Sequence, residues 1–145
     1  MECVIFIGIQ ASGKSTFYKQ KFFNTHIRIN LDMLKTRYRE NIFVTACIDG
    51  KQPFVVDNTN PTSEERIKYI KSARHSGFKV TGYYFEPSYE DSIIRNDERE
   101  GKEKVPQVAI KSTISKLQKP VIDEGFDELY QVSLVDGKFQ IEELH

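Results

Sequence analysis

Gly8-Ile9-Gln10-Ala11-Ser12-Gly13-Lys14-Ser15 has the form G-x-x-x-x-G-K-S. The apolar run Cys3-Val4-Ile5-Phe6-Ile7 precedes it and reads as a buried strand. Lys14 to Phe23 reads as the helix that follows. A strand, a glycine-rich turn and a helix N-terminus together make an anion site. The glycines let the backbone wrap closely, successive N–H groups point inward, and the helix dipole favours negative charge. In this pattern Gly8, Ala11, Ser12, Gly13, Lys14, Ser15 and Thr16 are the candidate nucleotide-binding residues. Lys14 reaches the outer phosphates of a triphosphate and the Ser15 hydroxyl ligates magnesium. A chance match in an ordinary strand-turn-helix is the competing reading, and the fitting context on both sides opposes it.

The rest of the chain reads as an open α/β fold. Apolar runs alternate with helical patterns, the mark of a parallel sheet with crossover helices. The expected strands are 3–7, 26–29, 53–56, 79–85 and 129–134. Asn30 is expected to cap one helix running to about Arg39, and the weakly patterned segment 41–52 to hold a short separate helix. Thr62 and Glu65 suggest a capping box for a helix to about Ser76. Ser88 opens a helix to about Glu100, and Pro106 opens another that carries Ile110, Ile114 and Leu117 on one face. Asp136-Gly137 is a hairpin signal, so 139–144 would pair antiparallel with the fifth strand. The expectation is a mostly parallel five-stranded sheet, helices on both faces, and a C-terminal hairpin.

Composition sets bounds. The 145 residues carry 21 basic and 21 acidic side chains, a formal net charge of zero. That balance opposes wrapping a long nucleic acid but leaves room for a local basic site at a strand end. The length suits a single domain over 1–145. Two cysteines make no disulfide framework, and Cys3 reads as a small buried apolar residue. No signal peptide and no stretch of transmembrane length is visible, so no membrane association and a cytoplasmic location are expected. His26, His75 and His145 show no metal-ligand spacing. The scattered tyrosines and phenylalanines fit a core better than a base-stacking platform.

A phosphoryl-transfer enzyme also needs a base, a second hold on magnesium and cations for developing charge. Asp32 follows the second strand, where the crevice of an open parallel sheet lies, and is the candidate general base. A charge that only complements a helix dipole is the alternative. Lys35 and Arg39, three and seven residues on, would share a helix face with Asp32 and help hold a substrate; a solvated helix surface is the plainer reading. Asp57 ends an apolar strand and is the candidate magnesium residue beside Ser15. Asn58 and Asn60 in Asp57-Asn58-Thr59-Asn60-Pro61 are candidates for substrate hydrogen bonds, against a plain turn. Arg95 and Arg99, four apart in a polar segment, suit a lid spanning about 88–104 whose arginines close on the transferred phosphate. Intrahelical salt bridges compete with that assignment.

These pieces resemble the 5′-polynucleotide kinases, in particular the kinase domain of polynucleotide kinase/phosphatase. The resemblance rests on Gly8 to Thr16, Asn30-Leu31-Asp32, Val55 to Pro61, Arg95-Asn96 through Arg99, Val105-Pro106 and Asp123-Glu124-Gly125-Phe126. It implies a P-loop kinase fold and transfer of the γ-phosphate of ATP to a 5′-hydroxyl end of DNA or RNA, with ATP and Mg2+ as cofactors. It implies Asp32 as base, Arg99 as the lid arginine at the transferred phosphate and Arg95 as a second one at the nucleotide. Lys35 stands where the family has an arginine for the substrate's 3′-phosphate, and Leu31 where an arginine is common. The family includes oligomers, and no patch in the sequence argues for a particular interface. A kinase of a nucleoside, sugar or antibiotic, or an ATP-binding interaction module, remain alternatives.

Overall fold

The first strand, β1 (Glu2–Ile7), is buried along nearly its whole length, so both of its faces are covered. The computed structural model describes residues 1–99 and 105–145. After β1 come helix α1 (Lys14–Lys21), β2 (Ile27–Ile29), the one-turn α2 (Leu31–Leu34) and α3 (Arg37–Asp49). Then follow β3 (Phe54–Val56), α4 (Ser63–His75), β4 (Lys79–Phe85), α5 (Tyr89–Asp97) and α6 (Gln107–Lys116). A short 3₁₀ turn at Ile122–Glu124 leads into β5 (Glu128–Val135) and β6 (Lys138–Glu143).

The six strands lie in the order β2-β3-β1-β4-β5-β6. The first five are parallel, and only β6 runs antiparallel, against β5. The sheet is therefore mostly parallel, as expected, with the hairpin adding a sixth strand. Asp136 and Gly137 both have positive φ, 52° and 75°, as a two-residue hairpin turn with the right twist requires.

Alternate residues of β1 feed two cores. Cys3, Ile5 and Ile7 pack with Val44, Cys47 and Ile48 of α3 and Tyr69, Ile70 and Ala73 of α4. Val4 and Phe6 face the other way, against Phe17, Phe22, Phe85 and Val132. The aromatics on that side interlock edge to face, with Phe17 5.1 Å from Phe139 of β6 and 5.3 Å from Phe85 between ring centroids. Hence β6, although an edge strand, presses Phe139 onto α1 beside the phosphate loop. Among the described residues no helix is long and apolar enough to cross a membrane.

Two helix expectations need correction. The single helix from Asn30 to Arg39 is two helices. Asn30 caps α2, accepting from the Met33 N–H at 2.9 Å, but Lys35 has φ 77° and ends the turn. Thr36 then caps α3 by accepting from the Arg39 N–H at 3.1 Å. The weak segment 41–52 is thus the body of a 13-residue helix. Its buried stripe is Glu40, Val44, Cys47 and Ile48, while Ile42 and Phe43 face outward. Lys35 and Arg39 consequently do not share a helix face with Asp32. Likewise α5 stops at Asp97, so Arg99 lies beyond it and is not on one helix with Arg95. The remainder of the suggested lid, residues 100–104, lies outside the described residues.

Candidate nucleotide site

The loop 8–15 leaves the C-terminal end of β1, the strand in the middle of the parallel part of the sheet. Ala11 and Gly13 take positive φ, 59° and 98°, and Gly13 serves as the N-cap of α1 without a side-chain cap. The first N–H groups of α1 therefore keep no side-chain acceptor of their own, which suits an anion. Gly8 has a steric reason to be glycine: a Cβ there would stand 2.9 Å from the Phe85 Cβ. Its N–H donates to the Thr59 carbonyl at 3.0 Å. Gln10 donates to Thr113 at 2.9 Å and so ties the loop to α6.

Lys14 curls over the loop, its Nζ donating to the carbonyls of Gly8 at 3.0 Å and Ile9 at 2.6 Å. Burial pulls this amine down to about 8. The negative charge of Asp57 opposes the shift, the positive charge of Arg99 adds to it, and Asp32 again opposes it. All three residues therefore act electrostatically at the lysine of the loop, although they come from three separate segments. Asp32 is exposed at the start of α2. Arg95 donates from Nε to the Ala11 carbonyl at 2.6 Å. Desolvation lowers its guanidinium, with Arg99 a further cause. Ser15 and Thr16 are exposed at the first turn of α1, and Lys35 is exposed after α2.

The Asp57-Asn58-Thr59-Asn60-Pro61 run is held by hydrogen bonds to several separate segments. Asp57 is buried, and its Oδ2 lies 3.4 Å from the Ser15 Oγ. Asn60 points inward, its Nδ2 donating to the Phe6 carbonyl at 2.7 Å, and it is only 3% exposed. Asn58 donates to Glu40 at 2.8 Å and accepts from the Leu31 N–H at 2.8 Å. Both amides thus have partners within the fold; Asn60 is buried and Asn58 half-buried. Through these bonds Asn60 fixes the end of β1, and Asn58 fixes the N-terminus of α2 and with it Asp32.

Several residues that matter here went unread in the sequence. Arg28 of β2 donates from Nε to Asp57 Oδ2 at 2.8 Å and from Nη2 to Ser15 Oγ at 3.0 Å. Glu40 is buried and receives hydrogen bonds from Tyr69 at 2.7 Å, Asn58 and Arg37. Burial opposes its charge, yet these donors outweigh it and hold the carboxyl below its ordinary value. Arg66, fully buried, bonds Glu124 at 2.9 Å and the Asn60 carbonyl at 3.2 Å. Asn96, also fully buried, exchanges hydrogen bonds with the backbone of Val105 and ties the end of α5 to the start of α6. The signal for Arg28 was present: a cation alternating with Ile27 and Ile29 in a strand needs a partner.

Two depressions adjoin these elements. One of about 160 Å³ is lined by Ser12, Ser88, Arg95, Leu134 and Phe139, next to the loop. The other, about 670 Å³, is a shallow hollow along α4 at Ile70, Arg74, His75 and Gly125. It carries none of the residues of the loop.

A phosphate loop at the centre of a parallel sheet, with a carboxylate at the end of the neighbouring strand β3, defines a P-loop nucleotide-binding protein with the kinase fold. The chain belongs to the AAA domain family, whose model matches residues 36–120. A bifunctional polynucleotide phosphatase/kinase of Schizosaccharomyces pombe is 29% identical over 135 residues, covering 90% of this chain and 33% of that protein. This chain thus spans about a third of that relative's length. Among solved structures, AvrRxo1-ORF1:-ORF2 with ATP superposes with a TM-score of 0.74 at 15% identity, over 97% of this chain and 57% of that one. A gluconokinase from Sinorhizobium meliloti 1021 gives a TM-score of 0.63 at 17% identity, over 91% and 82%. At those identities the two superpositions show the fold alone.

Proposed function

We propose that the chain is an ATP-dependent kinase that transfers the γ-phosphate to a 5′-hydroxyl end of DNA or RNA. The observation that carries the proposal is the glycine loop at the N-terminus of α1, with the Asp57 carboxylate 3.4 Å from the Ser15 hydroxyl and Arg95 bonded to the Ala11 carbonyl. A base, a metal carboxylate and a cation near the loop lysine are the parts that phosphoryl transfer needs, and Asp32, Asp57 and Arg99 are the candidates for them. The polynucleotide acceptor is supported by the likeness to the phosphatase/kinase of Schizosaccharomyces pombe, which covers 90% of this chain.

Asp32 takes the proton of the attacking hydroxyl, and its exposure at the start of α2 leaves it open to an incoming strand end. Lys14 leaves the Gly8 and Ile9 carbonyls for the outer phosphates of ATP. Asp57 and Ser15 fit magnesium: a buried carboxylate and a hydroxyl 3.4 Å apart already share one cationic partner. Held there, magnesium would neutralise phosphate charge. Arg99 stabilises the charge on the group in flight, and Arg95 flanks the nucleotide from the Ala11 side. The small cavity at Ser12, Arg95 and Phe139 takes the nucleoside end. Lys35 contacts the acceptor's phosphate. The chain acts as one domain, and of its lid the described part is α5 and the residues after it as far as Arg99.

A sugar or other small hydroxyl compound is the second reading, favoured by the gluconokinase fold and the zero net charge. The two separate in one assay. The protein is incubated with γ-labelled ATP, magnesium, and either 5′-hydroxyl oligonucleotides or a panel of sugars and nucleosides. Label on the oligonucleotide 5′ end is expected. Label confined to small molecules would assign the second reading.

A further inference from the structure

We infer that the Arg28 guanidinium is a displaceable occupant of the divalent-cation position, so that magnesium must compete with it for Asp57 and Ser15. The inference rests on the reading that Mg2+ and ATP bind at the loop. Arg28 contacts the same two oxygens that form the magnesium donor set, at 2.8 Å and 3.0 Å. Magnesium bonds oxygen at about 2.1 Å and carries two charges. Its ligation there competes with the guanidinium for the same two oxygens, Asp57 Oδ2 and Ser15 Oγ, and sets two like-signed cations against each other.

The arrangement has a physical reason. The Asp57 side chain is 2% exposed, and a carboxylate so buried is costly without a cation beside it. Arg28 supplies that cation when no metal is present. Its own side chain is 28% exposed and sits on the edge strand β2, so it can swing toward water without opening the core. Tyr18 and His26 border the same corner, the tyrosine hydroxyl bonding the His26 carbonyl at 2.7 Å. Arg28 therefore raises the magnesium concentration at which the nucleotide site fills, while keeping the metal-free loop in register.

The test uses the full chain as wild type, Arg28→Met and Arg28→Gln, the latter retaining a polar group if the former folds poorly. Binding of a fluorescent ATP analogue is titrated in EDTA and then with rising MgCl2. Melting temperatures are recorded with MgCl2 alone. In either variant the magnesium concentration for half-maximal enhancement of nucleotide binding should fall about fivefold or more, the factor that matches a partly buried ion pair. MgCl2 alone should raise the melting temperature of the variants more than that of wild type. Normal nucleotide binding with an unchanged magnesium midpoint, or one that rises, would overturn the inference and leave the donor site standing. Wild-type protein that binds no nucleotide with or without magnesium would overturn the donor reading and this inference together.

Discussion

Removing the Glu124 carboxylate should destabilise the protein through a residue it does not resemble, Arg66. Arg66 is fully buried, and Glu124 takes two of its four hydrogen bonds, at 2.9 and 3.4 Å. The other two go to the carbonyls of Asn60 at 3.2 Å and Gln118 at 3.0 Å. Glu124→Ala leaves a buried guanidinium without its counter-charge, a change that costs about 3–5 kcal/mol. The two carbonyls remain, which argues for the lower end, about 3 kcal/mol. Against a domain stability of about 5–15 kcal/mol that is a large share. At about 2–4 °C per kcal/mol for a chain of this size, the melting temperature should drop by about 6–12 °C. Because Arg66 also holds the Asn60 carbonyl, and Asn60 holds the end of β1, nucleotide binding should weaken as well. The double variant Arg66→Met/Glu124→Leu should recover most of the lost stability, since a well-packed apolar pair can replace a buried ion pair. Thermal and urea unfolding followed by circular dichroism reads all three proteins. A loss below about 1 kcal/mol in Glu124→Ala, or a double variant worse than the single, would refute the reasoning.

Three further outcomes are expected. The Lys14 amine lies at about 8 in the protein without ligand, and contact with phosphate raises it; ATP binding near pH 8 should therefore take up about half a proton. Calorimetry in buffers of different ionisation enthalpy measures this, and buffer-independent heats would contradict it. Glu40 titrates below its ordinary value of 4.5, so its stabilising effect is complete above that pH and is lost as pH falls through the lowered value. Glu40→Gln should accordingly be less stable at neutral pH and show a shallower loss of stability under acid, seen in urea midpoints from pH 7 to 3. Arg99→Ala should lower kcat by about 10³ with ATP binding largely kept, as for other arginines at a transferred phosphoryl group; an unchanged rate in single-turnover quench would remove Arg99 from the site.

Local signals carried well into three dimensions. The loop at 8–15, the run 3–7 and the Asp136-Gly137 turn are each written in adjacent residues, and each forms as read. The Thr62 cap of α4 is another such case, with its hydroxyl accepting from the Glu65 N–H at 3.2 Å. What could not be read depends on partners far along the chain. Lys35 looks like a continuing helix residue, but Thr36 offers a second cap and the chain breaks between the two. The buried stripe of α3 was hidden because Ile42 and Phe43, its most conspicuous apolar residues, face solvent while Glu40 is inside. Asn58 and Asn60 look like a polar mouth in sequence. Only the positions of Glu40, Leu31 and Phe6 turn their amides inward. The pairing of Arg28 with Asp57 spans 29 positions and follows from β2 lying next to β3 in the sheet. The segment Asp123 to Phe126 carried family likeness but no visible role. Glu124 meets Arg66 there, and Gly125, at φ 118°, turns the chain against Ile70, leaving no space for a Cβ.

The central claim is that a hydroxyl activated by Asp32 attacks the γ-phosphate of ATP held at the loop. The most direct measurement is single-turnover transfer of labelled γ-phosphate to a 5′-hydroxyl oligonucleotide by wild type and Asp32→Asn, with ATP affinity measured in parallel. Wild type should label the 5′ end. Asp32→Asn should bind ATP within about twofold of wild type yet transfer at least about 10²-fold more slowly, the usual scale of general-base catalysis. Equal transfer rates in the two proteins would contradict the assignment of Asp32 and with it the proposed mechanism.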